Sequence, residues 1–504
     1  MDTLAFEHHL VSPQGCGRLP AAGYAVTVGG WACCDELEFA VELDGGDVRD
    51  AGFVAQGCGA TTAAGSAAVT LVRARPLLDA ARIGPHEIAA ELGGLSPAKR
   101  HAADLAADAL ARALGEAVRA QARLPRPAAG RTLVAMSGGV DSAVAALRSR
   151  ERGETIAVTL ELWSDRENDA ERSCCSASAV AQARTLAHSM GLPHFTLDLR
   201  DEFKAGVVDP FIAGYAAGET PNPCVGCNGH VRLDAMLALA DRLGCDWLAT
   251  GHYARTTEDQ DEDGTVLRLA RDGAKDQTYM LAALSPRSLA RMRFPLGELT
   301  KPEVRRMAAE AGLAVAGKAD SQDLCFLAGT DRGRFLARHG QLDDRPGFVV
   351  DRAGGVLARH RGQHHFTVGQ RRGLGVAAPE PLYVLDKDAA SNRVTVGPAS
   401  ALRTTSVALR GVRLHRPGGR VDRVKLRYRS KPLAARLVGE PQAGSHRRLE
   451  LELPRPADAA APGQLACLMD GELVIGWGTI ARRPSADGDG GDGAWRDPGR
   501  GSEP

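Results

Sequence analysis

The chain has 504 residues, with Lys+Arg and Asp+Glu balanced at 62 each and a 44% hydrophobic share. That length suggests about three domains, and the composition is that of a globular chain, not a disordered or fibrous one. No apolar run reaches the roughly 18 residues of a membrane span, and Met1-Asp2-Thr3-Leu4-Ala5-Phe6-Glu7 lacks the basic start of a secretory signal.

A cytoplasmic protein without membrane contact is therefore expected, and its 11 cysteines point to catalytic, redox or metal-binding roles more than to structural disulfides. Zero net charge at first argues against a nucleic-acid partner, but the charges are unevenly placed. Residues 1–125 hold 10 Lys+Arg against 15 Asp+Glu, whereas residues 401–484 hold 16 against 7. The C-terminal region thus carries a positive field suited to a phosphate backbone, although a basic run alone is commonly just a solvated face.

Residues 1–125 read as a separate α+β unit. Glu36-Leu37-Glu38-Phe39-Ala40-Val41-Glu42-Leu43 alternates as a strand does, and Asp44-Gly45-Gly46 is a turn. From Ser96-Pro97 to Arg119 the chain is Ala/Leu-rich and helical, with Ser96 as N-cap and Pro97 at the first helical position. Leu124-Pro125-Arg126-Pro127-Ala128-Ala129-Gly130 reads as a linker. Over residues 126–330, apolar strands (132–136, 155–162, 194–199, 246–250) alternate with helical segments (178–190, 231–243), which predicts a doubly wound parallel sheet with its ligand at the carboxyl ends of the strands. Beyond about 331 the long helical periods vanish. Short β-type runs at 347–350, 381–385, 393–396 and 464–469 predict a small β-rich domain over 331–400 and a C-terminal β-barrel over 401–484. The Gly/Asp-rich residues 485–504 read as a disordered tail.

The most informative stretch is Ala135-Met136-Ser137-Gly138-Gly139-Val140-Asp141-Ser142. A strand feeding a Gly-Gly turn at a helix N-terminus leaves backbone N–H groups aimed outward, where the helix dipole favours an anion. The glycines let the backbone close on a phosphate. Ser137 and Ser142 add hydroxyls, and Asp141 holds either the loop or a Mg²⁺. No Gly-Lys-[Ser/Thr] follows, so this is not a Walker loop. It resembles the PP-loop of ATP pyrophosphatases, which cleave ATP to AMP and pyrophosphate to adenylate a carbonyl oxygen. Without that resemblance a Gly-Gly turn is only a tight connection.

Thr220-Pro221-Asn222-Pro223-Cys224-Val225-Gly226-Cys227-Asn228 places a Cys-x-x-Cys just before a helix, where Cys227 is a candidate thiolate nucleophile. Cys325, in Asp323-Leu324-Cys325-Phe326, is a second isolated thiol. With Thr250-Gly251-His252-Tyr253, Lys275-Asp276-Gln277 and Thr367-Val368-Gly369-Gln370-Arg371-Arg372-Gly373-Leu374-Gly375, these motifs make residues 131–484 resemble the MnmA-type tRNA-uridine 2-sulfurtransferases. The resemblance implies ATP contacts at residues 135–142, Leu160 and Gly251, and a target-base site at Asn222, Pro223, Cys224 and His252. It also implies tRNA contacts at Lys275, Asp276, Gln277, Arg427, Tyr428 and Gln464, the last three within the basic region. Cys325 would carry sulfur as a persulfide and Cys227 would complete its delivery, leaving a Cys227–Cys325 disulfide to be reduced. The implied partners are tRNA and a persulfide donor such as a cysteine desulfurase or sulfur relay protein; the implied cofactor is ATP with Mg²⁺. Many members carry Asp where this chain has Cys224. Cys174, Cys175, Cys224 and Cys227 together offer an alternative four-sulfur set for zinc or an Fe–S cluster.

Cys33-Cys34-Asp35, Gly57-Cys58-Gly59-Ala60 and Lys99-Arg100-His101 resemble the IscU/NifU N-terminal family. Matching the family's ligand set residue by residue selects Cys33, Asp35, Cys58 and His101 for zinc or an Fe–S cluster. Its third cysteine, directly after the histidine, is Ala102 here, and Cys34 stands where the family usually has glycine. Two other readings stay open: an amide-forming PP-loop ligase, which needs no paired cysteines, and a non-catalytic Fe–S or sulfur carrier.

Overall fold

A computed structural model describes residues 3–29, 34–165, 177–259, 264–320, 324–327, 330–458 and 460–482. Cys33, Cys174, Cys175 and the 485–504 tail lie outside the described residues. The chain divides into two compact units, Met1–Arg200 with Ala235–His252 and Arg291–Phe326, and Asp201–Asp234 with Tyr253–Ala290 and Leu327–Pro504.

The first unit opens with an antiparallel meander of strands Tyr24–Gly29, Glu36–Asp44 and Asp47–Gln56. The expected strand is the middle one, and its apolar residues Leu37, Phe39 and Val41 are fully buried. Helices Gly59–Val72 and Arg100–Ala120 cover the sheet. A Cβ on Gly65 would fall 2.7 Å from the Phe53 ring, so only glycine allows this close packing of helix on sheet. The Arg100–Ala120 helix follows a single 3₁₀ turn that starts at Pro97, as the Ser96-Pro97 pair predicts. Its alanines are buried on almost every side because it packs against both this sheet and the edge strand His194–Asp198 of the next one. That contact covers an otherwise open strand edge.

The second sheet of this unit is five-stranded and parallel, in the order Met292–Arg293, Trp247–Ala249, Arg131–Ala135, Glu154–Glu161, His194–Asp198. Arg131–Ala135 comes first in the chain and stands at the centre. The two chain directions diverge there, so the loop after Ala135 occupies the topological switch point, where α/β sheets bind ligands.

The second unit holds two β structures. One is a four-stranded sheet in the order Val356–His360, Gly347–Val350, Arg393–Gly397, Tyr383–Asp388, preceded by helix Arg332–Gly340. This short helix stands beside the β-rich structure expected over 331–400. Asp331 caps it through bonds from the Gly333 and Arg334 amides, a local signal hidden in a short polar stretch. The other is a nine-stranded sheet around a core that includes Val407, Leu409, Leu451, Leu468 and Ile475. Leu433–Ala434 and Arg436–Leu437 form its two ends and are one residue apart in the chain, which bends the sheet into a nearly closed barrel. Strands Arg255–Glu258 and Thr265–Arg268 form a hairpin that adds to this sheet through Leu473–Val474. Among the described residues no helix is long and apolar enough to cross a membrane.

Candidate functional site

In the first unit, the chain leaves strand Arg131–Ala135 through Met136, whose amide donates to the Val158 carbonyl at 2.8 Å. The next residues fold back on themselves. The Ser137 amide donates to Ser142 Oγ at 3.1 Å, and that hydroxyl donates to the Gly139 carbonyl at 3.0 Å. Gly138 has φ +68°, and a Cβ there would lie 2.9 Å from the Ala179 carbonyl, so glycine is needed twice over. Gly139 is the N-cap of helix Val140–Arg150 and offers no side-chain cap. The helix therefore begins with uncapped amides and the positive end of its dipole, which is an anion cradle. Gly251 packs against the same turn, where a Cβ would fall 2.8 Å from Asp141 C and Ser142 N. Leu160 is buried near the end of its strand. His252 Nδ1 lies 2.9 Å from Thr250 Oγ1.

Two lysines that sequence reasoning missed border this cradle. Lys301 Nζ meets both Asp141 oxygens at 2.7 and 2.8 Å and Asp320 at 2.8 Å. Asp141 is thus tied through Lys301 to Asp320. Lys318 Nζ donates to the Gly138 carbonyl at 3.0 Å and to Gln182 at 2.5 Å, which adds positive charge beside the glycines. The local signal for Lys301 was the Thr300-x-x-Glu303 capping box, which starts helix Lys301–Glu310. Cys325 opens a 3₁₀ turn, Cys325–Leu327, and its thiol is half-buried.

In the second unit, the Cys-x-x-Cys lies within the first helical turn and not ahead of it. Asn222 is the N-cap, accepting from the Cys224 amide at 3.1 Å, and Pro223 takes the first position. Cys224 is therefore the cysteine near the helix start. Cys227 is buried one turn on, where a π-helical stretch, Cys227–Arg232, begins. Such π segments occur frequently at functional sites. The segment leading into this turn is pinned by the β structures. Arg410 grips both Glu219 carboxylate oxygens at 2.7 Å, the Thr220 amide donates to the Pro462 carbonyl at 3.0 Å, and Gln464 Nε2 donates to the Thr220 carbonyl at 2.5 Å. Lys387, fully buried, donates to the Phe366 carbonyl at 3.0 Å.

Asp276 is buried, accepting from the Ala270 amide at 2.9 Å and Thr278 at 2.8 Å, with Lys425 Nζ at 3.3 Å. Gln277 makes two 2.9 Å bonds to the Tyr253 backbone. Asp276, Gln277 and Gln464, which the resemblance puts on tRNA, thus hold internal bonds. Lys275 and Tyr428 are half-buried and Arg427 is exposed; the Tyr428 ring stands 6.3 Å from that of Tyr279. Cys245 (in the first unit) and Cys467 are buried thiols pushed up to about 12 by desolvation, which marks them as unreactive.

The third cluster lies in the N-terminal module. Ligand atoms of Asp35, Cys58 and His101 all lie within 4.8 Å of one another. Buried Asp35 accepts from the Cys58 amide at 3.0 Å and from Thr61 Oγ1 at 2.7 Å, and the Cys58 thiol stands 3.3 Å away. A Cβ on Gly57 would fall 2.2 Å from Asp35 Oδ1, so the chain can wrap the carboxylate only with glycine there. His101 Nδ1 lies 2.9 Å from the Ala98 carbonyl. A carbonyl only accepts, so the proton belongs on Nδ1 and Nε2 presents a lone pair. That Nε2 is buried without a hydrogen-bond partner and 3.4 Å from Asp35 Oδ2. Two acceptors facing each other in this way suit a shared cation, and imidazole, carboxylate and thiolate are all donors that zinc accepts. Cys34 has φ +54°, the left-handed region that favours glycine. Its thiol is exposed, and Ala102 is buried.

Four family models match in succession: the NifU-like N terminal domain over residues 5–122, the tRNA methyl transferase HUP domain over 130–329, the tRNA methyl transferase PRC-barrel domain over 333–398 and the aminomethyltransferase beta-barrel domain over 418–480. A bifunctional protein NifU/MnmA of Rubrobacter xylanophilus is 44% identical over 490 residues, 94% of this chain and 97% of that protein. The tRNA-specific 2-thiouridylases MnmA of Acidithiobacillus ferrooxidans and Moorella thermoacetica are 44% and 41% identical, each over 69% of this chain and 98% of their own length. The first relative covers nearly the whole chain and the other two about two thirds of it; this chain belongs to the bifunctional NifU/MnmA family.

Proposed function

We propose that this chain is an ATP-dependent tRNA 2-thiouridylase with a fused module that handles its sulfur. What carries the reading is that a member of the NifU/MnmA family keeps both an uncapped phosphate cradle at Ser137–Ser142 and the thiols of Cys224, Cys227 and Cys325. A uridine C2 carbonyl is a poor electrophile with oxide as its leaving group. Transfer of AMP from MgATP to O2, with loss of pyrophosphate, makes AMP the leaving group instead. The amides before Val140, with Lys318 beside them, would hold the phosphates, Leu160 would border the adenine, and Asp141 would stay tied to Lys301.

The base must be turned out of its stack to be reached. A Cys325 persulfide then attacks C2 and expels AMP, and the Cys227 thiolate attacks Cys325 Sγ of the resulting mixed disulfide, so that the S–S bond breaks and the sulfur on C2 leaves with the base. That yields 2-thiouridine and a Cys227–Cys325 disulfide, which an external thiol reduces. Release of hydrosulfide by Cys227 before the attack gives the same products. The exposed Arg427 and the basic barrel around it would bind the tRNA backbone. At the N-terminal cluster, Asp35, Cys58 and His101 would hold zinc, with Cys58 bound as a thiolate. A persulfide on Cys58 is the sulfur store in this reading, and a cysteine desulfurase or a relay protein is the class of donor that loads it.

The test is tRNA-dependent AMP and pyrophosphate release. Wild type should release both in step with thiolation. Cys325→Ser and Cys227→Ser should adenylate tRNA yet form no 2-thiouridine. Full thiolation by either serine variant refutes the cysteine assignments.

A further inference from the structure

Within the first unit, a network of four charges joins the N-terminal module to the parallel sheet. Asp108 and Arg112 stand one turn apart on helix Arg100–Ala120, and Arg112 Nε donates to Asp108 at 2.8 Å. From helix Ala177–Ser189, Arg184 donates to the other Asp108 oxygen at 2.6 Å. Arg112 also donates to Glu161 through Nη1. Two carboxylates thus face two guanidiniums. Asp108 is held below its usual pKa: burial opposes this, but Arg184 and Arg112 outweigh it. Arg112 is held above its own, where burial is again opposed and outweighed, by Asp108 and Glu161.

Glu161 is buried at the end of strand Glu154–Glu161. This strand also holds the start of the ATP loop, since Ala135 is level with Val158 and the Met136 amide donates to the Val158 carbonyl. Leu160, which borders the adenine in the reading given above, comes immediately before Glu161. Strand alternation points those two side chains to opposite faces of the sheet, so Arg112 grips the strand end on the face away from Leu160. The neighbouring strand contributes one backbone bond here, from the Leu199 amide to the Glu161 carbonyl at 2.9 Å. Among the described residues, Arg112 is the only side chain that hydrogen-bonds the Glu161 carboxylate.

The helix that carries Arg112 has little room to shift. A Cβ on Gly115 would fall 2.0 Å from the Thr196 carbonyl, and one turn on Arg119 reaches the Asp198 carbonyl at 3.2 Å. The helix backbone therefore lies directly against the edge strand, and the guanidinium is presented from a fixed base.

We propose that Arg112 is a positioning residue for the nucleotide: by neutralising and clamping Glu161, the fused N-terminal module fixes the strand end that ATP binds against. This rests on the ATP reading of the Ser137–Ser142 loop and Leu160. Loss of Arg112 alone strands the Glu161 carboxylate, which then turns toward water and pulls the strand end with it. An unneutralised carboxylate at the ligand edge of the sheet also repels a polyphosphate. Loss of Arg184 strands Asp108 instead and leaves Glu161 paired. Loss of Arg112 and Glu161 together strands neither, because Asp108 keeps Arg184.

The experiment is ATP titration calorimetry on full-length variants, with thiolation kinetics on the same samples. Arg112→Met should weaken ATP binding about tenfold or more, raising KM for ATP with kcat at saturating ATP little changed. Arg184→Met should lower the melting temperature yet bind ATP as wild type does. Arg112→Met/Glu161→Met should return to within about threefold of wild type. Should Arg112→Met not fold, Arg112→Lys keeps the charge, but an ammonium lacks the fork that spans both carboxylates, and ATP should bind about threefold or more weakly. Wild-type affinity in Arg112→Met, or in Arg112→Lys where only that variant folds, overturns the proposal, as does an equal loss in Arg184→Met. A double variant as weak as Arg112→Met overturns action through Glu161. Weak binding in Gly251→Ala beside wild-type affinity in Arg112→Met leaves the ATP reading standing, whereas a wild type that binds no ATP overturns that reading and this proposal with it.

Discussion

Gly251→Ala tests the ATP cradle from behind. The added Cβ would stand 2.8 Å from Asp141 C and Ser142 N, whereas carbon contacts are comfortable at about 3.5 Å or more. Both neighbours are backbone, so the first turn of helix Val140–Arg150 must retreat by roughly half an ångström or more. Overpacking of this kind costs about 1–3 kcal/mol, and every 1.4 kcal/mol taken from ligand binding is about tenfold in affinity. ATP affinity should therefore fall roughly five- to hundredfold, measured by titration calorimetry, and ATP should raise the melting temperature less than it does in wild type. Gly273→Ala is the comparison, because nothing lies within 4 Å of a Cβ there. Wild-type ATP affinity in Gly251→Ala would refute the reasoning that this loop, held from this side, is the phosphate site.

Metal analysis should find about one zinc per chain, lost in Cys58→Ser and in His101→Ala; zinc retained in both would place the metal elsewhere. Lys387 is held down to about 7, chiefly by burial and then by Arg332 and Arg482, against an ordinary value of about 10.4. Between those values the unfolded chain binds more protons than the folded one, so stability rises with pH across that window, by on the order of 1 kcal/mol per unit, and the cost of the buried charge is full below pH 7. Lys387→Met should flatten the slope in urea melts between pH 7 and 9; equal slopes would contradict the assignment. Arg410→Leu removes the clamp on Glu219 at the entry to the Cys224 turn, and thiolation kcat should fall about tenfold with ATP affinity unchanged. A variant with wild-type kcat would show that the clamp does not position the cysteines.

The parts of the fold visible in the sequence are those with short-range causes. The strand–Gly-Gly–helix run at 131–150 and the Ser96-Pro97 helix start each depend on residues a few positions apart, and both stand where expected. Asn222 shows how local reading slips: an N-cap one residue before Pro223 starts the helix early, which makes Cys224, not Cys227, the residue near its N-terminus. What stayed hidden depends on distant partners. Lys301 reaches Asp141 across 160 positions and Lys318 reaches Gly138 across 180. The Arg255–Arg268 hairpin completes a sheet whose receiving strand lies some 200 residues on. No periodicity encodes such pairings. The Asp35–Cys58–His101 grouping was legible only through resemblance, since three residues spread over 66 positions carry no spacing signal of their own.

Nucleoside mass spectrometry on digested tRNA is the most direct measurement. Purified chain, MgATP, a persulfide donor and unmodified tRNA should yield 2-thiouridine at the wobble position, with none formed when ATP is omitted or replaced by a non-hydrolysable α,β-analogue. Wobble uridine left unthiolated while AMP and pyrophosphate accumulate, or thiolation that proceeds without ATP, would contradict the account.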